Sequence, residues 1–258
     1  IQLVEDPSST AQDLNNVIAK DPALCTRILK VVNSAFYGLP GQIGSINRGI
    51  VLLGLNAVKN IAIAASLAKL FKGGNLTATF SAKDLWEHST AVATGTRLIA
   101  TRLKIGLTDE AFLSGLIHDV GVMVEMQYDR NKLVEVLDRV ASEAPGDFLA
   151  VEEAVFNATH QDFGAGLCEK WKFPRAFAHV CGHHHDPMSL PQDSRLLPTM
   201  VAVADRLAGQ IDAGFRLDLP ELEIPSDWLD ELKLTREDVD EIRTTLPEAV
   251  QEVQVLLT

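Results

Sequence analysis

Apolar residues recur along this chain at three- and four-residue spacing and nowhere in strict alternation, which is the pattern of helices rather than strands. Leu14, Val17 and Ile18 form one stripe. Leu24, Ile28, Leu29 and Val32 form the next, then Ile46, Ile50 and Leu53, then Leu55, Val58, Ile61, Ala62, Ala65 and Leu70. The punctuation agrees with the stripes. Thr10 and Ser45 suit N-caps, and Asp21-Pro22 is a cap followed by proline at the first helical position. Gly38-Leu39-Pro40-Gly41, Gly54 and Gly73-Gly74 interrupt or end helices. Asn33, at a helix end, is expected to tie chain segments together through its amide.

Further on, Ser81 and Asp84 predict a capping box for a helix carrying Leu85, His88, Val92 and Leu98. Thr108 caps a helix that runs through Phe112, Leu116, Val120 and Met123, and Tyr128 to Val140 is amphipathic. Ala144-Pro145-Gly146 reads as a turn. Phe148 to His160 reads as one helix in which Glu152 and Glu153 serve as first-turn dipole partners. Pro174 opens a helix with Phe177, Val180 and Cys181 that ends in His183-His184-His185; Leu196 to Leu207 is an apolar helix; Ser226, Thr235 and Asp238 cap two more. The expected fold is all-α. Residues 1–75 make a small N-terminal helical bundle packed on a larger one, 76–215, and 216–258 form a C-terminal helical extension where the composition turns acidic.

The chain has 258 residues, enough for a large core, with 47% hydrophobic and 22% charged residues, ordinary globular values. Its formal net charge of −12 argues against broad contact with phosphate backbones, so no direct nucleic-acid binding is expected. No apolar run is long enough to span a bilayer and no signal peptide opens the chain, which leads us to expect a cytoplasmic protein with no membrane partner. Cys25, Cys168 and Cys181 are odd in number and lack CxxC spacing, as for reduced thiols.

The chemistry gathers around Gly115-Leu116-Ile117-His118-Asp119-Val120-Gly121. An imidazole and a carboxylate side by side in an apolar run are costly to bury without partners. A divalent metal ion would satisfy both. Other residues could join them: Asp205 lies within an apolar helix, Asp84 and His88 stand four apart on one helix face, His160 precedes the small residues Gly164-Ala165, and His184-His185 close a histidine run. The candidate metal ligands are therefore Asp84, His88, His118, Asp119, His160, His184, His185 and Asp205. Asp84 also has its capping role, and a histidine run at a helix C-terminus also forms because cations suit that end. His183 is the spare member of the run, and His179 is expected on the surface. No Gly-rich phosphate loop or other cofactor-binding motif is present.

In this order, His, His-Asp, Asp is similar to the HD superfamily of metal-dependent phosphohydrolases. Longer motifs resemble the HDOD domain, the HD-related output domain of bacterial signalling proteins. They are Asp21-Pro22-Ala23-Leu24, Asn33-Ser34-Ala35-Phe36-Tyr37-Gly38, Leu53-Gly54, the Gly115 to Gly121 run, His160 with Gly164-Ala165, Trp171-Lys172-Phe173-Pro174 and His184-His185. The resemblance implies an HD-like helical bundle. It also implies a signal-transduction output or response-regulator role exerted by binding. Partners would be an attached sensor or receiver domain, a signalling protein, or a nucleotide such as a cyclic dinucleotide. It favours His184 and His185 as the paired ligands, and one or two ions of iron, manganese or zinc as the cofactor.

The alternative that the resemblance leaves open is a metal-dependent phosphohydrolase or cyclic-dinucleotide phosphodiesterase, with Asp119 catalytic. Two departures weigh against it. Catalytic relatives commonly place a lysine directly after the His-Asp-x-Gly run, where this chain has Val122. The Gly-Tyr-Pro signature of the phosphodiesterases is replaced by Asp186-Pro187-Met188-Ser189. Arg102, Lys104 or Arg206 could supply the missing cation.

Overall fold

Local capping chemistry sets most of the helix starts. In the computed structural model, which describes residues 9–34, 37–68, 71, 75–77, 80–142, 147–219 and 221–257, Thr10 caps α1 (Ala11–Ile18) in a capping box with Asp13. Asp21 caps α2 (Pro22–Val32), and Ser45 caps α3 (Ile46–Leu53). Gly54, at φ +91, turns the chain into α4 (Leu55–Leu67). Among the described residues there is no strand, only one isolated bridge between Asn75 and Ser81, and the fold is all-α. The expected breaks at Gly73-Gly74 and Ala144-Pro145-Gly146 lie outside the described residues, as does Ala35-Phe36 of the resembling motif.

The chain divides into two compact units, residues 1–70 with 251–258, and residues 71–250. In the first, α1 to α4 pack on one another around Leu14, Ile18, Ile28, Val32, Ile50, Val58 and Ile61. Asn33 does what its position suggests. Its Nδ2 donates to the carbonyls of Leu29 and Ile43, both at 2.8 Å, and its Oδ1 accepts from Ile43 N at 2.6 Å.

The second unit carries the chemistry. It contains α5 (Ala82–Leu103), α6 (Thr108–Ile117), α7 (Val120–Tyr128), α8 (Arg130–Ser142) and α9 (Phe148–Phe156). After them come α10 (His160–Lys170), α11 (Arg175–His183), α12 (Leu196–Gln210), α13 (Ser226–Leu232) and α14 (Arg236–Leu257), the last up to residue 250. α12 is apolar almost all round, as a central helix must be. It packs on α5, α6, α11 and α13, and its Met200, Val201, Val203, Ala204 and Leu207 are fully buried. α5 packs along α6, and α10 lies against both α7 and α11.

Two helices expected to be continuous are broken, each at or within three residues of a candidate ligand. The run from Thr108 to Met123 divides at His118 and Asp119. Just past this break Gly121 lets α7 lie flush on α10: a Cβ there would lie 1.8 Å from the carbonyl oxygen of His160. The run from Phe148 to His160 ends at Asn157, in the left-handed conformation at φ 60. Thr159 then caps α10 in a capping box with Asp162, and His160 is the first residue of that helix.

Candidate metal centre

Six helices, counting the two that flank the break at His118-Asp119, bring seven of the eight candidate ligands to one buried place. His88 comes from α5, His118 and Asp119 from the α6–α7 break, His160 from the first turn of α10, His184 and His185 from just past α11, and Asp205 from α12. All but His185 are essentially without solvent exposure, and the His185 side chain is 9% exposed. Asp84 is not among them. Its Oδ2 accepts from Ser81 N at 3.0 Å and Ser81 Oγ at 2.7 Å, so its carboxylate is spent on the cap of α5.

The histidines are oriented alike. His118 Nδ1 donates to Gly115 O at 2.8 Å and His88 Nδ1 to Ala213 O at 3.3 Å. His184 Nδ1 faces the carbonyls of Val180 and Cys181, both at 3.1 Å, and His160 Nδ1 donates to Glu152 at 2.9 Å. With the proton held on Nδ1, each ring presents Nε2 inward, the tautomer that metal-bound histidines adopt when an outer partner fixes them.

Asp119 stands between two sets of these nitrogens. Its Oδ2 lies 3.1 Å from His118 Nε2 and 3.8 Å from His88 Nε2; its Oδ1 lies 3.3 Å from His184 Nε2 and 3.7 Å from His160 Nε2. Asp205 Oδ1 is 3.1 Å from His88 Nε2 and 4.0 Å from His118 Nε2. On the other side, His160 Nε2 is 3.1 Å from His185 Nε2 and 3.4 Å from His184 Nε2. Sequence reasoning missed Asp218, whose Oδ2 is 3.5 Å from His185 Nε2. The donor atoms fall into one group from His88, His118 and Asp119 and another from His160, His184, His185 and Asp218, each within 4.8 Å.

These donors fit divalent transition metals. Nε2 of His88 and His118, both oxygens of Asp119, Oδ1 of Asp205 and both oxygens of Asp218 are buried with no hydrogen-bond partner. So many unsatisfied polar atoms in one place would be expensive as a permanent arrangement. Imidazole and carboxylate together suit iron, manganese or zinc. His88, His118, Asp119 and Asp205 would hold one ion, and Asp119, His160, His184 and His185 a second.

The electrostatics already favour positive charge. Burial opposes the charge on His88, but the Asp205 and Asp119 carboxylates outweigh it and lift the ring to about 9. Burial likewise opposes charge on His160, where Glu152 lifts it to about 10. Burial pushes the Asp119 carboxyl up, but His118, His184 and His160 hold it well below the usual carboxylate range. His185 is driven well below its ordinary value by burial and by the charges of His184 and His160. Burial and the charges of Asp119 and Asp205 push Asp218 up to about 7.

Glu152, expected as an exposed dipole partner, is fully buried and accepts from both the Nδ1 and the backbone N of His160. Its place was signalled by spacing: Phe148, Glu152 and Phe156 lie on one helical stripe. Beside it, Glu125 is fully buried, and burial and the Glu152 charge lift its carboxyl to about 9. Its ordinary value is 4.5. The folded chain therefore keeps a proton that the unfolded chain releases, and stability falls as pH rises between those values, by up to about 1.4 kcal/mol per unit. Glu125→Gln removes this loss. It is expected to match the wild type near pH 5 and to exceed it by about 2–4 kcal/mol at pH 8. Urea unfolding at the two pH values checks this; a difference independent of pH would place Glu125 in the ordinary carboxylate range.

The remaining candidates lie elsewhere. His183 Nδ1 pairs with Ser189 Oγ at 3.1 Å, and His179 accepts from Arg175 at 3.1 Å. Cys181 Sγ faces Ile117 O at 3.3 Å and Cys168 Sγ at 3.6 Å and belongs to neither donor group, and the described cysteines are free thiols. Arg102 is paired with Asp238 and Glu241. Arg206 alone of the suggested cations reaches the centre: Nη1 is 3.3 Å from Asp205 Oδ2, and the guanidinium lies 4.8 Å above the Trp228 ring.

An all-helical bundle with a buried, bridged His/Asp constellation defines a protein of the HD-like class. The HDOD domain family model matches residues 1–187, and the chain belongs to the HDOD family. An uncharacterized protein of Treponema pallidum (strain Nichols) is 24% identical over 258 residues, which is 94% of this chain and 45% of that one, so the chain spans less than half of this relative's length. A Marinobacter aquaeolei VT8 structure, named as a candidate signal transduction protein, matches with TM-score 0.78 and 21% identity, covering 100% of this chain and 56% of that one. A Shewanella amazonensis SB2B structure, named as a candidate metal-dependent phosphohydrolase, matches with TM-score 0.67 and 20% identity, covering 100% and 88%. At these identities the likeness shows a shared fold. Among the described residues no helix is long and apolar enough to cross a membrane.

Proposed function

We propose that this domain is a signal-transduction output module that holds one or two first-row metal ions and acts by binding, with phosphodiester hydrolysis weak or absent. The observation that carries the reading is the set of buried imidazole and carboxylate atoms, turned toward one another and left without hydrogen-bond partners. A divalent cation is the partner such a set fits. The signalling role draws on family membership and on the name of the Marinobacter structure; a signalling protein, an attached domain or a nucleotide would be the partner.

The reading as a metal-dependent phosphohydrolase has one observation in its favour, the Asp119 carboxylate shared by two donor groups. In such a site a bound divalent ion supplies Lewis-acid activation of water near neutral pH. Here Asp119 would be the catalytic residue. Against it, Val122 is a fully buried apolar side chain where a phosphate-holding lysine would be needed, and Arg206 is already engaged by Asp205 and Trp228.

Metal analysis of chelator-free protein, followed by assay against cyclic dinucleotides, mononucleotides and a chromogenic phosphodiester, separates the readings. We expect at least one iron, manganese or zinc per chain and no turnover above background. Protein that takes up no metal even after reconstitution would overturn the metal centre. Turnover that disappears in Asp119→Ala would establish the hydrolase.

A further inference from the structure

The segment after α12 carries a carboxylate into the centre, and its backbone is shaped to do so. Gly214 stands at φ +71, where a Cβ would lie 2.2 Å from Asp84 O and 2.7 Å from His88 N. Only glycine lets the segment lie that close to α5. Two hydrogen bonds fix it there: Phe215 N donates to Asp84 O at 3.1 Å, and Ala213 O accepts from His88 Nδ1. The Phe215 ring, 3% exposed, sits edge-on to Phe80, Phe148 and His88. Three residues on, Asp218 is 3% exposed and neither of its oxygens has a hydrogen-bond partner.

An acid on a loop normally turns to water, because burying a carboxylate with no donor facing it is unfavourable. Here the anchors at Gly214 and Phe215 keep Asp218 inside, against the three Nε2 atoms of His160, His184 and His185.

We propose that Asp218 is an in-chain ligand for the ion held by His160, His184, His185 and Asp119, standing where a phosphate or similar oxyanion from outside would bind. The inference rests on the metal centre proposed above. Structural metal sites complete their coordination with protein donors, whereas hydrolytic ones keep a position open. Asp218 makes this half of the centre a closed site, so an external oxyanion must displace it. The segment from Ala213 to Leu219 is thereby a built-in competitor, and binding of an oxyanion is coupled to its release.

The test compares the wild-type chain with Asp218→Asn, which keeps the side chain's shape, and Asp218→Ala. Three quantities are read: metal per chain after dialysis, the visible absorption of the cobalt(II)-loaded proteins, and their affinity for inorganic phosphate. Both variants are expected to fold, since each removes a carboxyl whose charge is disfavoured by burial and by Asp119 and Asp205, and metal-free Asp218→Asn should melt above the metal-free wild type. The cobalt spectrum should change, and phosphate should bind at least tenfold more tightly than to wild type. Loss of one ion from the variants alone would likewise mark Asp218 as its ligand. Variants that keep wild-type metal content, spectrum and phosphate affinity would overturn the inference and leave the metal centre standing. Failure of the wild type itself to take up metal would overturn both.

Discussion

Asp119→Ala will abolish metal loading at both donor groups and with it the metal-dependent rise in melting temperature of the large unit. The argument is one of position. Oδ2 faces His118 and His88 while Oδ1 faces His184 and His160, so one side chain is shared by both halves. Removing any single histidine leaves the bridging carboxylate in place; removing Asp119 leaves two sets of mutually repelling imidazoles. An ion present at a thousandfold its dissociation constant stabilises the folded state by about 4 kcal/mol. In a unit of this size that raises the melting temperature by roughly 8–16 °C. Thermal melts with and without manganese or zinc should show this rise in the wild type and none in Asp119→Ala or in the His118→Ala, Asp119→Ala double variant. An equal metal-induced rise in wild type and variants would place the ions elsewhere.

Gly121→Ala should be the most damaging glycine-to-alanine change among the described residues. The added Cβ would meet His160 O at 1.8 Å, His160 C at 2.6 Å and Gly164 N at 2.9 Å, all backbone atoms of α10. Backbone in a packed helix cannot step aside as the end of a side chain can, so α7 and α10 must separate. Asp119 and His160, which those two helices position, would separate with them. We expect a loss above about 4 kcal/mol, in the range reserved for severe packing defects. Metal should be lost as well. Gly166→Ala is the control: it lies in the facing helix α10 with nothing within 4 Å of its new Cβ and should be neutral or stabilising by up to about 1 kcal/mol. A Gly121→Ala protein melting within about 2 °C of wild type, under 1 kcal/mol, would show that the two helices are not in contact as described.

Most of the helical framework was legible because caps are local chemistry: Thr10, Asp21, Ser45 and Ser81 sit within three residues of the groups they satisfy. His118 and Asp119 stood out because a neighbouring imidazole and carboxylate inside an apolar run are conspicuous in any register. The interruption of the helix at that pair was not legible, and neither was the close approach of Gly121 to the carbonyl of His160, far along the chain. The start of α10 was legible in principle, because Thr159 and Asp162 have capping-box spacing, but the apolar run before them masked it. Glu125 and Glu152 carried the same signal as Asp205, an acid within an apolar stripe, and were passed over because first-turn and surface glutamates are common. Asp218 had no signal at all. It sits in an acidic stretch, and only the course of the backbone through Gly214 and Phe215 turns it inward.

The donors of the centre span positions 88 to 218, and apart from His118-Asp119 and His184-His185 none are sequence neighbours. An open chain would have to close several long loops before any two distant donors met, and each closure costs entropy. Metal ions in the medium therefore find little to hold in the unfolded chain, and cannot template this fold as zinc templates a finger. On the metal reading, assembly must run the other way: the helices pack first, through slow, long-range contacts, and ions would enter a cage that already exists. Nearly all of the binding free energy then counts toward the folded state, so the domain's stability would track metal supply in the cell while its folding rate would not.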